Sequence, residues 1–209
     1  MQPFSVLVEF DTADVSPDTY EALFDALLDQ HGAVGPAPNG NLSVRLTVEA
    51  DSVAQAATRG IEYAQAAATQ HDITPNTVIG AEVVTEAERD RRLGDDEFGE
   101  LRAEQEHGIS SSPAYGVYVE FDTADVAPEV YEALFDALHD QHGAVGPAPN
   151  GNLSVRLTVE ADSVAQAATR GIEYAQAAAT QHDITPNTVI GAEVGLTLRA
   201  DLPQEPERF

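Results

Sequence analysis

A chain of 209 residues with no cysteine rules out disulfides, thiolate catalysis and cysteine-ligated zinc. Its 36 acidic residues face 10 basic ones, all arginine, and the net charge of −26 repels nucleic acid and anionic membranes, because phosphate contacts depend on Lys and Arg. No apolar run approaches the ~18 residues of a membrane span, and Met1-Gln2-Pro3-Phe4 lacks the pattern of a signal peptide, so a soluble, cytoplasmic chain is expected.

The clearest signal is a repeat: residues 29–83 recur without a change as residues 140–194. The chain therefore divides into repeat 1 (1–84), a charged linker (85–113), repeat 2 (114–200) and a tail (201–209) that reads as disordered, with two prolines. Each repeat is long enough to bury a modest core. The acidity has three candidate origins: a high-salt or lysine-poor background, a surface for a basic partner, or mimicry of nucleic acid. The even spread of carboxylates over all elements favours the first.

In chain order, Phe4, Val6, Val8 and Phe10 alternate onto one face of a first strand over 4–10. Asp11 to Val15 form a polar turn. Ser16-Pro17-Asp18 starts a helix, with Ser as N-cap, Pro in the first turn and Asp at the positive end of the dipole. Tyr20, Leu23, Phe24, Leu27 and His31 fall at helical spacing, and Gly32 is expected to cap the helix in the left-handed conformation. Asn39-Gly40 marks a hairpin, and Pro36 and Pro38 place its first arm at a sheet edge. In the second arm Leu42, Val44, Leu46 and Val48 point inward and Ser43, Arg45, Thr47 and Glu49 outward.

A second helix is expected from an Asp51 N-cap to Gln70, with a small-residue inner stripe of Val53, Ala57, Gly60, Ile61, Ala64 and Ala68. The last strand spans 77–84, with Ile79, Ala81 and Val83 on one face and Glu82 on the other. The order β-α-β-β-α-β is the ferredoxin-like plan. The expected fold is α+β: tandem ferredoxin-like domains, each a four-stranded antiparallel sheet with two helices on one face. The copies differ early, at Ser5/Gly116, Leu7/Tyr118, Ser16/Ala127, Asp18/Glu129, Thr19/Val130 and Leu28/His139. In the linker, Thr85 is set to cap a helix over 86–93, and 97–106 suits another.

The paired histidines His31 and His71, with His142 and His182, stand at helix C-termini, where the dipole favours an imidazolium. No phosphate loop, nucleophile elbow, zinc or calcium motif occurs. Arg89, Arg91 and Arg92 interleave with Glu86, Glu88 and Asp90 as a self-paired helix. The sheet face away from the helices carries Leu7, Glu9, Arg45 and Glu82, with Tyr118, Glu120, Arg156 and Glu193 in the copy. With the first strand between the third and fourth, Glu9 is expected beside Arg45 and Glu82. These eight residues form the candidate binding face. No catalytic, cofactor-binding or metal-ligating set is assigned.

The run Val83-Val84-Thr85-Glu86-Ala87-Glu88-Arg89-Asp90-Arg91-Arg92-Leu93, with the domain before it, resembles a group of small actinobacterial proteins. In those a β-α-β-β-α-β domain precedes a T-E-x-E-x-x-R-R-L-like segment and a helix-turn-helix. The resemblance covers residues 4–93 and, without the connector, 115–194. Residues 94–113 leave no room for a recognition helix pair, so DNA binding does not carry over. The resemblance implies a regulatory or interaction domain without its DNA reader. The leading expectation is a non-enzymatic module, a covalent pseudo-dimer that binds a protein or small ligand through a sheet face or edge. The alternatives are an enzyme of the dimeric α+β-barrel kind, with its site between two sheets, and an acidic nucleic-acid mimic.

Overall fold

The computed structural model describes residues 1–74, 77–94, 113–185 and 188–196. The helix expected over 97–106 and the tail 201–209 lie outside them. Repeat 1 folds as β1 (Gln2–Phe10), α1 (Pro17–Ala26), β2 (Ala33–Pro36), β3 (Leu42–Ala50), α2 (Val53–Gln70) and β4 (Val78–Thr85), and α3 (Glu86–Gly94) follows. Repeat 2 gives β5 (Ala114–Ala124), α4 (Pro128–Ala137), β6 (Ala144–Pro147), β7 (Asn152–Glu160), α5 (Val164–Gln181) and β8 (Val189–Leu196).

The four-stranded sheets expected from the sequence do not stand alone but join edge to edge. All eight strands join one antiparallel sheet in the order β2-β3-β1-β4-β8-β5-β7-β6. Within each half the first strand lies between the third and fourth, and the proline-bearing second strand is at the edge, as expected. The fusion occurs because the fourth strand of each half would otherwise expose a row of unpaired backbone groups. β4 and β8 satisfy each other instead, and the apolar core runs through both repeats as a single cluster.

The register of this central pair sets the symmetry of the molecule. Gly80 faces Gly195, Ala81 faces Val194, Glu82 faces Glu193, Val83 faces Ala192 and Val84 faces Gly191. Glu193 is the copy of Glu82, so a pseudo-twofold axis passes between these two carboxylates, normal to the sheet. On the helix side the same axis passes Thr58 and its copy Thr169, whose hydroxyls lie 3.4 Å apart where α2 and α5 pack together.

Alternation places Phe4, Val6, Val8 and Phe10 of β1 and Leu42, Val44, Leu46 and Val48 of β3 in the core. A Cβ on Gly60 would lie 2.5 Å from Val6 Cγ1, and one on Gly171 2.6 Å from Val117 Cγ1, so the small stripe does let α2 and α5 lie close on the sheet.

Several local expectations are corrected. The cap of α2 is Ser52, which accepts from the Gln55 amide, while the Asp51 amide donates to the Gln55 side chain. Helix α1 ends at Ala26 and is followed by a 3-10 turn (Leu28–Gln30). The left-handed residue there is His31 (φ 51), not Gly32; Gly32 is needed because a Cβ would meet Leu27 Cβ at 2.5 Å. Phe24 is 44% exposed, because α1 lies near the sheet edge and buries only Leu23 fully. A register shift between Glu9 and Phe10 pairs Phe10 with Val78, so Val78 rather than Ile79 packs on the core. The hairpin turn has a single positive φ, at Gly40. The Gly40 amide bonds the Ala37 carbonyl, which makes a three-residue loop of Pro38, Asn39 and Gly40.

Candidate functional site

On the face opposite α2 and α5, cross-strand pairing lines up six of the eight candidate residues. Arg45 faces Leu7, Leu7 faces Glu82, Glu82 faces Glu193, Glu193 faces Tyr118 and Tyr118 faces Arg156. The row crosses the sheet through the pseudo-twofold axis. Leu7, rather than Glu9, therefore stands between Arg45 and Glu82. Glu9 is one row away, opposite Ser43 and Gly80, and Glu120 takes the matching place on the other side, opposite Ser154 and Gly191.

Helix α3 breaks the symmetry. Thr85 caps it through the Glu88 amide (3.1 Å), as its sequence implies, and it folds back over this face. Its first turn reaches β3, where Thr47 Oγ1 donates to Glu86 (3.4 Å). Its last turn sets Arg92 over the seam. That guanidinium bonds Glu88 through Nε (2.8 Å), Glu82 through Nη1 (3.0 Å) and Glu120 through Nη2 (2.9 Å). Arg91 bonds Glu88 and lies 3.8 Å from Glu120. The arginines thus pair partly within the helix, as the sequence suggests, and partly with strands of both repeats. Glu88 is 5% exposed and Glu120 3%, and such burial of carboxylates requires pairing of this kind.

The two copies of the same glutamate pair now differ. Glu120 accepts from Arg92 and also from the hairpin amides Asn150 and Asn152. Glu9 accepts from the corresponding Asn39 and Asn41, and among the described residues no arginine pairs with it. Glu82 has Arg92; Glu193 has no ion pair within 4 Å among the described residues. Burial pushes the Glu193 carboxyl above its usual range, and repulsion from Glu82 adds to this, against the pull of Arg156 and Arg92. Burial works against the charge on Arg92, but the bond to Glu88 and the fields of Glu120 and Glu82 outweigh it and hold the group firmly protonated.

Tyr118 takes the place of Leu7 and carries Arg156 over its ring, 5.8 Å from the centroid. Burial raises its hydroxyl pKa, partly countered by Ser154 and the two arginines. The other Arg of the row, Arg45, donates to Ser5 Oγ (3.2 Å). The space enclosed among Glu82, Val84, Arg92, Tyr118, Gly191 and Glu193 is about 20 Å³, room for one water. A larger depression of about 380 Å³ lies elsewhere, open to solvent, between α4 and β6, and is lined by Tyr131, Glu132, Phe135, Asp136 and Val145.

The residues that sequence reasoning missed as part of this site are Glu88, Arg91 and Arg92. Their signal was present, since two adjacent arginines in an arginine-poor chain are conspicuous, but spacing gave only the intrahelical pairing. His31 and His142 are exposed, and His71 and His182 cap α2 and α5. Among the described residues no three His, Asp or Glu side chains converge as metal ligands, and no helix is long and apolar enough to cross a membrane.

No protein-family model matches the chain, and neither does any curated protein. Among solved structures, the chain is similar at 13% identity and a TM-score of 0.27 to a microcompartments protein from Desulfitobacterium hafniense, with 95% of this chain and 96% of that one covered. It is similar at 9% identity and a TM-score of 0.29 to the acetolactate synthase small subunit from Thermotoga maritima, with 94% and 96% covered. An unknown protein from Galdieria sulphuraria gives 12% identity and a TM-score of 0.23 over 94% and 99%.

Proposed function

We propose that the chain is a non-enzymatic interaction module: two ferredoxin-like halves, joined as a covalent pseudo-dimer, that bind a partner through the exposed face of the shared sheet. The observation that carries this reading is the composition of that face. Its polar groups form a structural ion network around Arg92 with space for one water, whereas small-molecule sites typically enclose ~300–1,000 Å³. The half of the face not covered by α3 presents Tyr118, Arg156 and Glu193, an aromatic with charges of both signs, which suits recognition of a polypeptide. The barrel-enzyme alternative has less support. Its chamber needs two sheets facing each other, and here the two open faces lie side by side on one sheet, so a second chain would have to close it.

Native mass spectrometry of the protein isolated from its own cells at moderate salt is the direct test. A retained polypeptide is expected. A chain that emerges with no partner at any salt concentration, or one that retains a small molecule and converts it to product, would sink the proposal.

A further inference from the structure

The pseudo-twofold axis relates two parallel rows on the open face, and α3 lies on only one of them. The covered row runs Thr47, Ser5, Val84, Gly191, Glu120 across β3, β1, β4, β8 and β5. Helix α3 bonds Thr47 at one end through Glu86 and Glu120 at the other through Arg92, and Ser5 and Val84 beneath it are buried. The symmetry-related row runs Thr158, Gly116, Gly195, Gly80, Glu9 across β7, β5, β8, β4 and β1. Each anchor recurs: Thr158 matches Thr47, Glu9 matches Glu120, and Glu193 beside the row matches Glu82. Among the described residues nothing covers this second row; a Cβ on Gly195, where Val84 stands in the other half, would meet nothing within 4 Å.

We infer that the second row is a docking site for a short helix of a partner protein, one that carries an arginine in its last turn and a carboxylate in its first. The occupant's chemistry is read from α3 itself, which supplies those groups to the same anchors on the twin row. The charge argument is specific. On the covered side one guanidinium bonds both Glu82 and Glu120, while on the other side no guanidinium lies within ion-pair distance of their copies Glu193 and Glu9 among the described residues. Gly195, in place of Val84, leaves open space above the row for the incoming helix. The chain's own sequence after β8 does not repeat the α3 pattern. Pro203 stands where Arg92 does, and Arg199 where Glu88 does.

The inference rests on the interaction-module reading and narrows it to one surface. Its test uses two probes on the full chain. The first is a graft that rewrites residues 196–205 as the sequence of Thr85–Gly94, which presents the helix at high effective concentration. The second is the free acetylated and amidated peptide of Thr85–Gly94, added to the unaltered chain. Both are expected to shift the amide resonances of Gly80, Gly116 and Gly195, and the graft to raise Tm by about 2–4 °C. Glu9→Gln with Glu193→Gln should abolish both effects, as should Gln in place of the residue matching Arg92. Absence of those shifts with both probes, or equal shifts from the Arg-to-Gln versions, would overturn the site. A seated graft in a protein that retains no partner from its cells would leave the site standing and sink the interaction reading. An empty second row in a protein that retains a partner would do the reverse.

Discussion

The two halves of the sheet share almost every residue, yet they are not electrostatically equivalent. Glu82 and Glu193 are copies of one glutamate, face each other across the central strand pair, and sit symmetrically about the axis. Glu82 nevertheless lies 3.0 Å from a guanidinium, while the Glu193 carboxyl is pushed up by burial and by Glu82 itself. One row out, Glu120 bonds Arg92 while its copy Glu9 bonds only Asn39 and Asn41 among the described residues. The cause is the connector: a helix follows β4 and its arginines serve three carboxylates at the seam. Copies of one residue are thus held differently because their neighbours differ.

The largest expected way to break this contrast is Arg92→Ala. It strips Glu82, Glu88 and Glu120 of their shared cation, two of them almost wholly buried. Because the guanidinium is itself about one-third exposed, the loss should be about 2–3 kcal/mol, below the ~3–5 kcal/mol of a fully buried pair. Urea unfolding of Arg92→Ala, Glu120→Gln and the double variant would measure it, and strict additivity of the two single losses would show that the bond carries no energy. The twin, Glu9→Gln, should cost less than about 0.5 kcal/mol, the ordinary range for a surface site.

Gly60→Ala and Gly171→Ala probe where the halves should agree. Each new methyl meets a rigid valine at 2.5–2.6 Å, so each should lose roughly 1–3 kcal/mol despite better helix propensity. Unequal losses in thermal unfolding would show that the helix layer, too, has departed from symmetry. A smaller effect separates the caps. Ser16 caps α1 through the Thr19 amide, whereas Ala127 gives α4 no side-chain bond. Ala127→Ser should gain about 1 kcal/mol and Ser16→Ala should lose as much; a null result from both would show that these end helices contribute little to global stability.

The subtlest difference is in pH. The raised pKa of Glu193 means the folded chain holds that proton more tightly than the unfolded one. Its contribution is most favourable below the ordinary carboxylate range and is lost as pH rises through the folded-state value. Glu193→Gln should remove this slope and leave the variant more stable than the parent at neutral pH. The same substitution at Glu82, which has an arginine to lose, should be destabilising there. Stability-versus-pH curves of the two variants that coincide would erase the distinction between the halves.

Much of each half was legible in the letters. The alternation of Phe4, Val6, Val8 and Phe10, the edge prolines, the Ser16-Pro17 start and the small stripe of α2 are local patterns, and the structure follows them. The open face was legible as a set of residues, six of which share one cross-strand row, but the neighbours of Glu9 were not. A sequence gives the face of a strand residue by parity, whereas its exact partner depends on register. Ile79 failed for the same reason, through a bulge. The union of two sheets into one, the pseudo-twofold between Glu82 and Glu193, and the reach of Arg92 to Glu120 were decided only in three dimensions. By itself the sequence determined the repeat, the element order and which face of each element is apolar, because these depend on short-range periodicity. The tertiary structure decided which edges meet and which charges are shared, because those depend on groups far apart in the chain competing for the same unsatisfied backbone and the same few arginines.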